Sequence, residues 1–596
     1  MKDTPRPYHP TITQALARHA KDRPDDIAIE YVDSNGERTF LNYRILLEQS
    51  LRVAAHLRRT CQPQDRILLP TNNTLTFHAA FLGCLMADCI AVPIQVPTPK
   101  AKLQDLGLGR FNAIIEDSQC SLVLLDERNL TALTRHLPNI KNAAAGPIKL
   151  DSIQEILAKT EPDSLADQAN PEHIAFLQYT SGSTSSPRGV VIRNSSIVNN
   201  QRDIQVCYGV HDKCSIVSWL PLYHDMGLCT GLFLPLYTGC PGLLMAPMTF
   251  VSRPYTWLRE ITNHPNAFSA APNFAYALCT HRIPDEDLLS LDLSSWHAAV
   301  CGAEPIIARD IEAFFARFAS AGFKPTTFCP SFGLAEGTLM VSGFHPGRPT
   351  RITRFSASSL AEHRVTPTDD TQDSTRLVGC GMAAPGVTLR IVDPKTHQEV
   401  SARTVGEIAV DSESAGDGYW NNPQASRATF GHDLEGNGHS RYFMTGDLGF
   451  IHEGELYVSG RRKDLIIVSG ANYYPQDIEQ TAQQQHPDLP LYRAAAFDGA
   501  IDDRSGVALV IEAPRRLIER QAGDLRSDII RAVRSNHNLT LSDVVFVHVG
   551  SIPKTSSGKV QRQRCAQLYR KGHYRHPATK PATEKINTSS VKRTSP

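Results

Sequence analysis

Between Tyr179 and Gly189 the chain reads YTSGSTSSPRG, a run of glycines and small hydroxyl side chains that follows the apolar residues 174–178 and closes on Pro187-Arg188-Gly189. Such a loop can grip a polyphosphate. Gly182 lets the backbone approach an anion and turn its N–H groups inward, Thr180, Ser181, Ser183 and Thr184 add hydroxyl donors, and Arg188 supplies a planar cation. It is not a Walker A loop, because Pro187 stands where that pattern needs its second glycine and no Gly-Lys-Ser/Thr follows. Alone, the stretch could equally be a surface linker rich in Gly and Ser. Later segments weigh against the linker. Gly302-Ala303-Glu304-Pro305 and Ser331-Phe332-Gly333-Leu334-Ala335-Glu336 each follow a candidate strand. Either could be an ordinary turn, but together they offer an aromatic face and close-approaching backbone for a purine, and in Glu336 a carboxylate that could hold Mg²⁺ against phosphate oxygens. Thr445-Gly446-Asp447 puts a lone carboxylate after a tight turn, where it could accept both hydroxyls of a ribose. GRRKDLIIVSGANYYPQDIE (460–479) and PKTSSGK (553–559) follow.

The frame around these motifs is large and electrically neutral. A chain of 596 residues, 41% of them hydrophobic, has enough apolar surface for several subdomains. Lys plus Arg equals Asp plus Glu at 61 each, so no global field recruits nucleic acid or an anionic membrane, and charge chemistry must be local. The 13 cysteines are scattered, without a CxxC pair or a Cys/His cluster at zinc spacing. With the polar start MKDTPRPYHP, this predicts a reduced, cytoplasmic setting and structural thiols. Residues 226–252 carry no charge and are long enough to cross a bilayer, but Pro235, Pro241 and Pro247 with Gly239 and Gly242 break them into short pieces, so no transmembrane segment is expected.

To position the motifs, strands must alternate with helices. Residues 43–58 place Leu46, Leu47, Leu51, Ala54 and Ala55 on one helical face, and 308–319 form a second helix. Strands are expected at 66–70, 215–220, 297–301 and 326–329, with the polar motifs just after them, as in a parallel sheet whose ligands bind beyond the carboxyl ends of its strands. From about residue 387 short alternating segments such as 388–392 and 406–410 suggest an antiparallel or barrel-like subdomain. From 465 a smaller α+β unit follows, with strands near 494–497, 507–511 and 544–549. Residues 573–596, rich in Lys, Thr, Ser and Pro, are expected to be disordered.

Over residues 11–569 the motifs, in order and spacing, resemble those of the adenylate-forming superfamily of acyl-CoA ligases, peptide-synthetase adenylation domains and luciferases. Within it SWLPLYHDMG (218–227), APNFAY (271–276), SFGLAEGTL (331–339) and YPQDIE (474–479) are most similar to the fatty acyl-AMP ligases. That resemblance implies an α/β fold: a large N-terminal domain (1–460) of mixed and parallel sheets flanked by helices, with a small β-barrel-like subdomain, then a hinge (461–464) and a small mobile α+β C-terminal domain (465–572). It also implies an insertion, for which the polar and weakly structured residues 351–376 occupy the matching place. The activity implied is ATP- and Mg²⁺-dependent activation of a medium- or long-chain fatty acid to acyl-AMP, then transfer to the phosphopantetheine thiol of an acyl carrier protein of polyketide or peptide synthase type.

By the same resemblance Thr180, Ser181, Gly182, Ser183, Thr184 and Arg188 embrace the β- and γ-phosphates, Gly302, Ala303, Glu304, Pro305, Ser331, Phe332 and Gly333 enclose adenine, and Glu336 binds Mg²⁺. Asp447 and Arg461 hold the ribose, Asp464 is the hinge, and Lys559 reaches both the substrate carboxylate and the α-phosphate. Catalysis would rest on Lys559, Glu336 and Thr180. Tyr223, His224, Phe268, Ala271, Phe274 and Tyr276 are apolar or aromatic groups for an acyl pocket, or ordinary core. Two positions depart from the pattern. Arg188 stands for the usual lysine and keeps its charge, and Phe332 stands for the usual tyrosine and loses one hydroxyl. Alternatives are a fatty acyl-CoA ligase, with the same adenylation and a different thiol, and a lipid- or nucleotide-binding paralogue that does not turn over. An amino-acid adenylation domain fits less well, because residues 271–274 lack the aspartate that would hold an amino group.

Overall fold

Runs that are apolar without alternation become strands buried on both faces, as in Arg66–Thr71, where Ile67, Leu68 and Leu69 are at most 1% exposed. The computed structural model describes residues 9–97, 104–134, 148–164, 170–180, 187–436, 438, 440–468, 471–499, 506–555 and 558–574. These fall into two units, one drawn from Met1–Leu465, Gly470–Tyr474 and Thr555–Lys559, the other from Ile466–Ser469, Pro475–Lys554 and Val560–Pro596.

Two sheets dominate the first unit. The seven-stranded one runs Phe328–Pro330, Ala298–Cys301, Ala267–Ala271, Ser215–Ser218, Gly242–Met245, Ile27–Val32 and Arg38–Asn42, parallel except for its last pair. The six-stranded one runs Lys149–Ser152, Leu122–Leu125, Arg66–Thr71, Ile90–Gln95, Ile174–Thr180 and Arg188–Arg193, again antiparallel only at the end. One apolar cluster joins both sheets, with Phe81, Phe176 and Phe233 meeting at 5.5–5.9 Å between ring centroids. The helix Tyr43–Thr60 starts where the Asn42 side chain accepts the Ile45 N–H at 2.8 Å, and it buries Leu46, Val53, Ala54, Ala55 and Leu57. The second expected helix spans Ala308–Phe318.

The uncharged residues 226–252 are broken as their prolines and glycines require. Short helical turns cover Asp225–Leu228, Cys229–Phe233 and Leu234–Thr238, then come the strand Gly242–Met245 and the helix Pro247–Ser252. Among the described residues no helix is long and apolar enough to cross a membrane. The antiparallel region is a four-stranded meander, Val387–Val392, Gly406–Ser412, Phe443–His452 and Glu455–Arg461, in linear order.

Residues 351–376 correct the expectation of a weakly structured stretch. Ile352–Phe355 pairs antiparallel with Thr375–Val378, and the short helix Ala357–Ala361 lies between them, capped by Ser356. Phe355, Leu360 and Val365 bury against Leu448, Phe450 and Tyr457 of the meander. Few apolar residues suffice here because the sheet supplies the other half of the core.

The second unit has Ala494–Asp498 antiparallel and Leu541–His548 parallel to a central Val507–Ala513. The parallel pair needs a crossover, and the 23-residue helix Arg515–His537 provides it. Residues 575–596, most of the expected tail, lie outside the described residues.

Candidate active site

The strand Ile174–Thr180 pairs antiparallel with Arg188–Arg193, and the pair Thr180–Arg188 closes the ladder. Ser181, Gly182, Ser183 and Thr184 lie outside the described residues. Side chains from elsewhere in the chain fasten the carboxyl end of the first strand. Arg110 donates to the carbonyls of Tyr179 and Thr180 at 3.3 Å each, and the Tyr179 hydroxyl donates to Asp117 at 2.5 Å. Arg188 holds its guanidinium 5.4 Å from the centre of the Tyr419 ring.

Beyond the carboxyl ends of three neighbouring parallel strands lie the segments expected to enclose adenine. Backbone bonds tie each to the neighbouring strand, Gly302 N–H to the Ala271 carbonyl at 3.3 Å and Ser331 N–H to the Cys301 carbonyl at 2.8 Å. A Cβ on Gly302 would stand 3.0 Å from the Ser331 carbonyl, and one on Gly333 only 2.0 Å from that of Leu339, so both positions need glycine to let the strands close. Ala303 adopts a left-handed φ of 68°, Glu304 accepts the Phe274 N–H at 2.7 Å, Pro305 is exposed, and Phe332 is half-buried. Ser331 bonds the Tyr208 hydroxyl at 2.6 Å.

Glu336 sits in the short turn Ala335–Gly337 and accepts the Tyr419 hydroxyl at 2.6 Å. Burial raises its carboxyl above the usual range, offset by the Tyr419 bond and by Arg461. A buried carboxylate is a hard oxygen ligand suited to Mg²⁺, which commonly takes one or two carboxylates plus substrate phosphates. Asp447 and Arg461 face one another across adjacent strands, with Arg461 Nε donating to Asp447 at 2.9 Å. Asp447 is 5% exposed, and the Arg461 bond fixes the direction of its carboxylate. Asp464 closes the next turn, its N–H reaching the Arg461 carbonyl at 3.1 Å.

The cations here crowd each other. Burial lowers Lys463, with Arg188, Arg461 and Arg462 pushing the same way. Burial and Arg461 likewise lower Lys559, while Asp225, Glu304 and Asp447 pull it back up. Arginines that lower the charged forms of Lys463 and Lys559 create a potential suited to a polyanion. Asp225 was not anticipated. Burial raises its carboxyl, but His224 at 2.8 Å, Lys559 and the Met226 N–H at 2.7 Å outweigh that and leave it below the ordinary carboxylate range. Arg110, Tyr419 and Lys463 were also missed. Only the HDMG run hinted at Asp225; the others lie far from the motifs or inside a basic run.

The six acyl-pocket candidates separate by burial. Tyr223, His224 and Phe274 are half-buried beside this site. Phe268, Ala271 and Tyr276 are 0% exposed; Phe268 packs against Tyr208, and the Tyr276 hydroxyl donates to the Val300 carbonyl at 3.0 Å, so these three build the wall as core residues.

The chain is similar to known proteins over most of its length. Residues 16–420 match the AMP-binding enzyme family and residues 463–579 the AMP domain of Disco-interacting protein 2-like proteins. A medium-chain-fatty-acid–[acyl-carrier-protein] ligase of Moorena producens is 35% identical over 90% of this chain and 91% of its own. A Mycobacterium tuberculosis protein with the provisional name fatty-acid–CoA ligase is 34% identical over 94% of this chain and 98% of its own. Among solved structures, the fatty acyl-adenylate ligase from L. pneumophila in complex with acyl adenylate and pyrophosphate is 34% identical, with a TM-score of 0.72 over 94% of this chain and 96% of that one.

Proposed function

Because the chain belongs to the AMP-binding enzyme family, in its fatty acyl-AMP ligase branch, we propose that it activates a medium- or long-chain fatty acid with ATP and passes the acyl group to the phosphopantetheine thiol of an acyl carrier protein of a polyketide or peptide synthase. In the first step a carboxylate oxygen attacks the α-phosphorus, the bond to the β-phosphate oxygen breaks, and pyrophosphate leaves. In the second the carrier thiol gives up its proton and attacks the acyl carbonyl, and AMP leaves. The first step brings two anions together, so its barrier falls where fixed cations face both. Lys559, seated among Asp225, Glu304 and Asp447 with Arg461 beside it, is the observation that carries this reading.

Thr180, residues 181–184 and Arg188 would hold the β- and γ-phosphates, residues 302–305 and 331–333 the adenine, and Asp447 with Arg461 the ribose. Glu336 would hold Mg²⁺, which when bound neutralises charge on the phosphate oxygens. Tyr223, His224 and Phe274 would meet the acyl chain. Asp464 would be the hinge between residues 1–460 and 465–572.

The test supplies fatty acids of several lengths with ATP and Mg²⁺, resolves acyl-AMP from acyl-thioester, and adds coenzyme A or a phosphopantetheinylated carrier protein separately. Acyl-AMP that the carrier consumes and coenzyme A does not supports the proposal. Rapid acyl-CoA formation overturns the acceptor, and absence of both products with every acid overturns the activity.

A further inference from the structure

The turn that joins the helix Asn194–Tyr208 to the strand Ser215–Ser218 reads His211-Asp212-Lys213-Cys214 and is closed by the Cys214 N–H on the His211 carbonyl at 2.9 Å. His-x-x-Cys in a tight turn is a spacing at which two side chains can share one metal ion. The sequence alone does not show the cluster, because the third member is 83 residues further on. His297 precedes the strand Ala298–Cys301. One ligand atom from each of His211, Cys214 and His297 lies within 4.8 Å of the others, and the two imidazole rings meet edge to face at 5.5 Å.

We propose that His211, Cys214 and His297 form a binding site for a divalent transition metal of the zinc class, separate from the adenylating residues, with a water as fourth donor. Two imidazoles and a thiolate are the borderline-soft set that zinc selects, against the oxygen ligands of Mg²⁺. The second shell is in place: the His297 ring nitrogen Nε2 bonds the Tyr208 carbonyl at 2.8 Å, which puts the proton on Nε2 and leaves the Nδ1 lone pair for a metal. Zinc bonds of about 2.0–2.3 Å at tetrahedral angles put donors about 3.3–3.8 Å apart, so the three donors need to draw in by about 1 Å. The exposed His211 ring can make that movement, while the buried Cys214 stays fixed. On binding, the Cys214 thiol gives its proton to solvent and the thiolate ligates the ion. The Tyr208 that orients His297 through its carbonyl also bonds Ser331 through its hydroxyl at 2.6 Å, so an ion here would brace the adenine segment.

Co²⁺ is the probe, titrated without nucleotide into full-length protein stripped of metal by a chelator, with Zn²⁺ added afterwards. We expect one equivalent of Co²⁺ with the visible bands of a tetrahedral site and a thiolate charge-transfer band, displaced by Zn²⁺, and a melting temperature that rises with Zn²⁺. His211→Ala should weaken binding at least tenfold with its melting curve in the metal-free state unchanged, and Cys214→Ser should remove the thiolate band. If Cys214→Ser does not fold, His211→Ala decides alone. Absence of a thiolate band, or unaltered affinity in His211→Ala, overturns the site, since the chain's 22 histidines and 13 cysteines offer other places for an ion.

Discussion

Replacing Tyr419 by phenylalanine removes the side-chain hydrogen bond that offsets the burial of Glu336. The Tyr419 hydroxyl donates to the Glu336 carboxylate at 2.6 Å, while its ring lies 5.4 Å from the Arg188 guanidinium. Phenylalanine keeps the ring and removes the donor. A hydrogen bond to a charged group contributes about 1.5–3 kcal/mol, which is a factor of about 10–100 between charged and neutral Glu336. Burial already raises this carboxyl, so losing the donor raises it further. The sign follows: Mg²⁺ needs the charged form, and the variant reaches that form only at higher pH. Pyrophosphate exchange into ATP, measured from pH 5.5 to 9 at several Mg²⁺ concentrations, should have its acid limb displaced upward by about one to two pH units. Near pH 6 the Mg²⁺ requirement should rise by about 10-fold or more, and near pH 9 the two proteins should converge. A loss of activity that is uniform across pH would refute the reasoning, because it would mean that Tyr419 acts by packing or substrate contact.

Three more outcomes follow from the same structure. Lys559→Ala should slow acyl-AMP formation by about 10²–10³-fold, leaving transfer from supplied acyl-AMP less affected; equal losses in both steps would count against its placement at the α-phosphate. Phe355, 0% exposed and edge-on to Phe450 and Tyr457 at 4.9 and 5.3 Å, should cost about 3–5 kcal/mol on replacement by alanine, read by urea unfolding; a loss under about 1 kcal/mol would mean residues 351–376 are not packed. Burial, with Glu479 adding to it, raises Asp477 to about 7, so between about pH 4 and 7 the folded state binds the extra proton and stability falls as pH rises. Asp477→Asn should therefore gain more in melting temperature at pH 8 than at pH 5, and an equal gain at both would contradict that titration.

What the sequence carried and what it hid divide by the range of the interaction. Residues 66–71 and 174–180 announce themselves because a strand buried on both faces must be apolar throughout, and a phosphate loop needs glycine and hydroxyls in consecutive positions. Proline also left a local mark: the strand expected at 326–329 is displaced to Phe328–Pro330 because Pro325 starts a tight helical turn, Pro325–Thr327. The partners of the motifs have no such signature. Tyr419 meets Glu336 from 83 residues away, and Arg110 reaches the Thr180 carbonyl across 70. Both are ordinary residues on ordinary segments until the sheets close, and each is legible only as a charge or hydroxyl that a buried neighbour requires. Residues 351–376 failed for a related reason. A hairpin that borrows Leu448, Phe450 and Tyr457 for half of its core needs only Phe355, Leu360 and Val365 of its own, and three apolar residues spread along a polar stretch have no period to read. A motif therefore locates the chemistry, but the groups that tune it are found only where the fold leaves a buried charge in need of a partner.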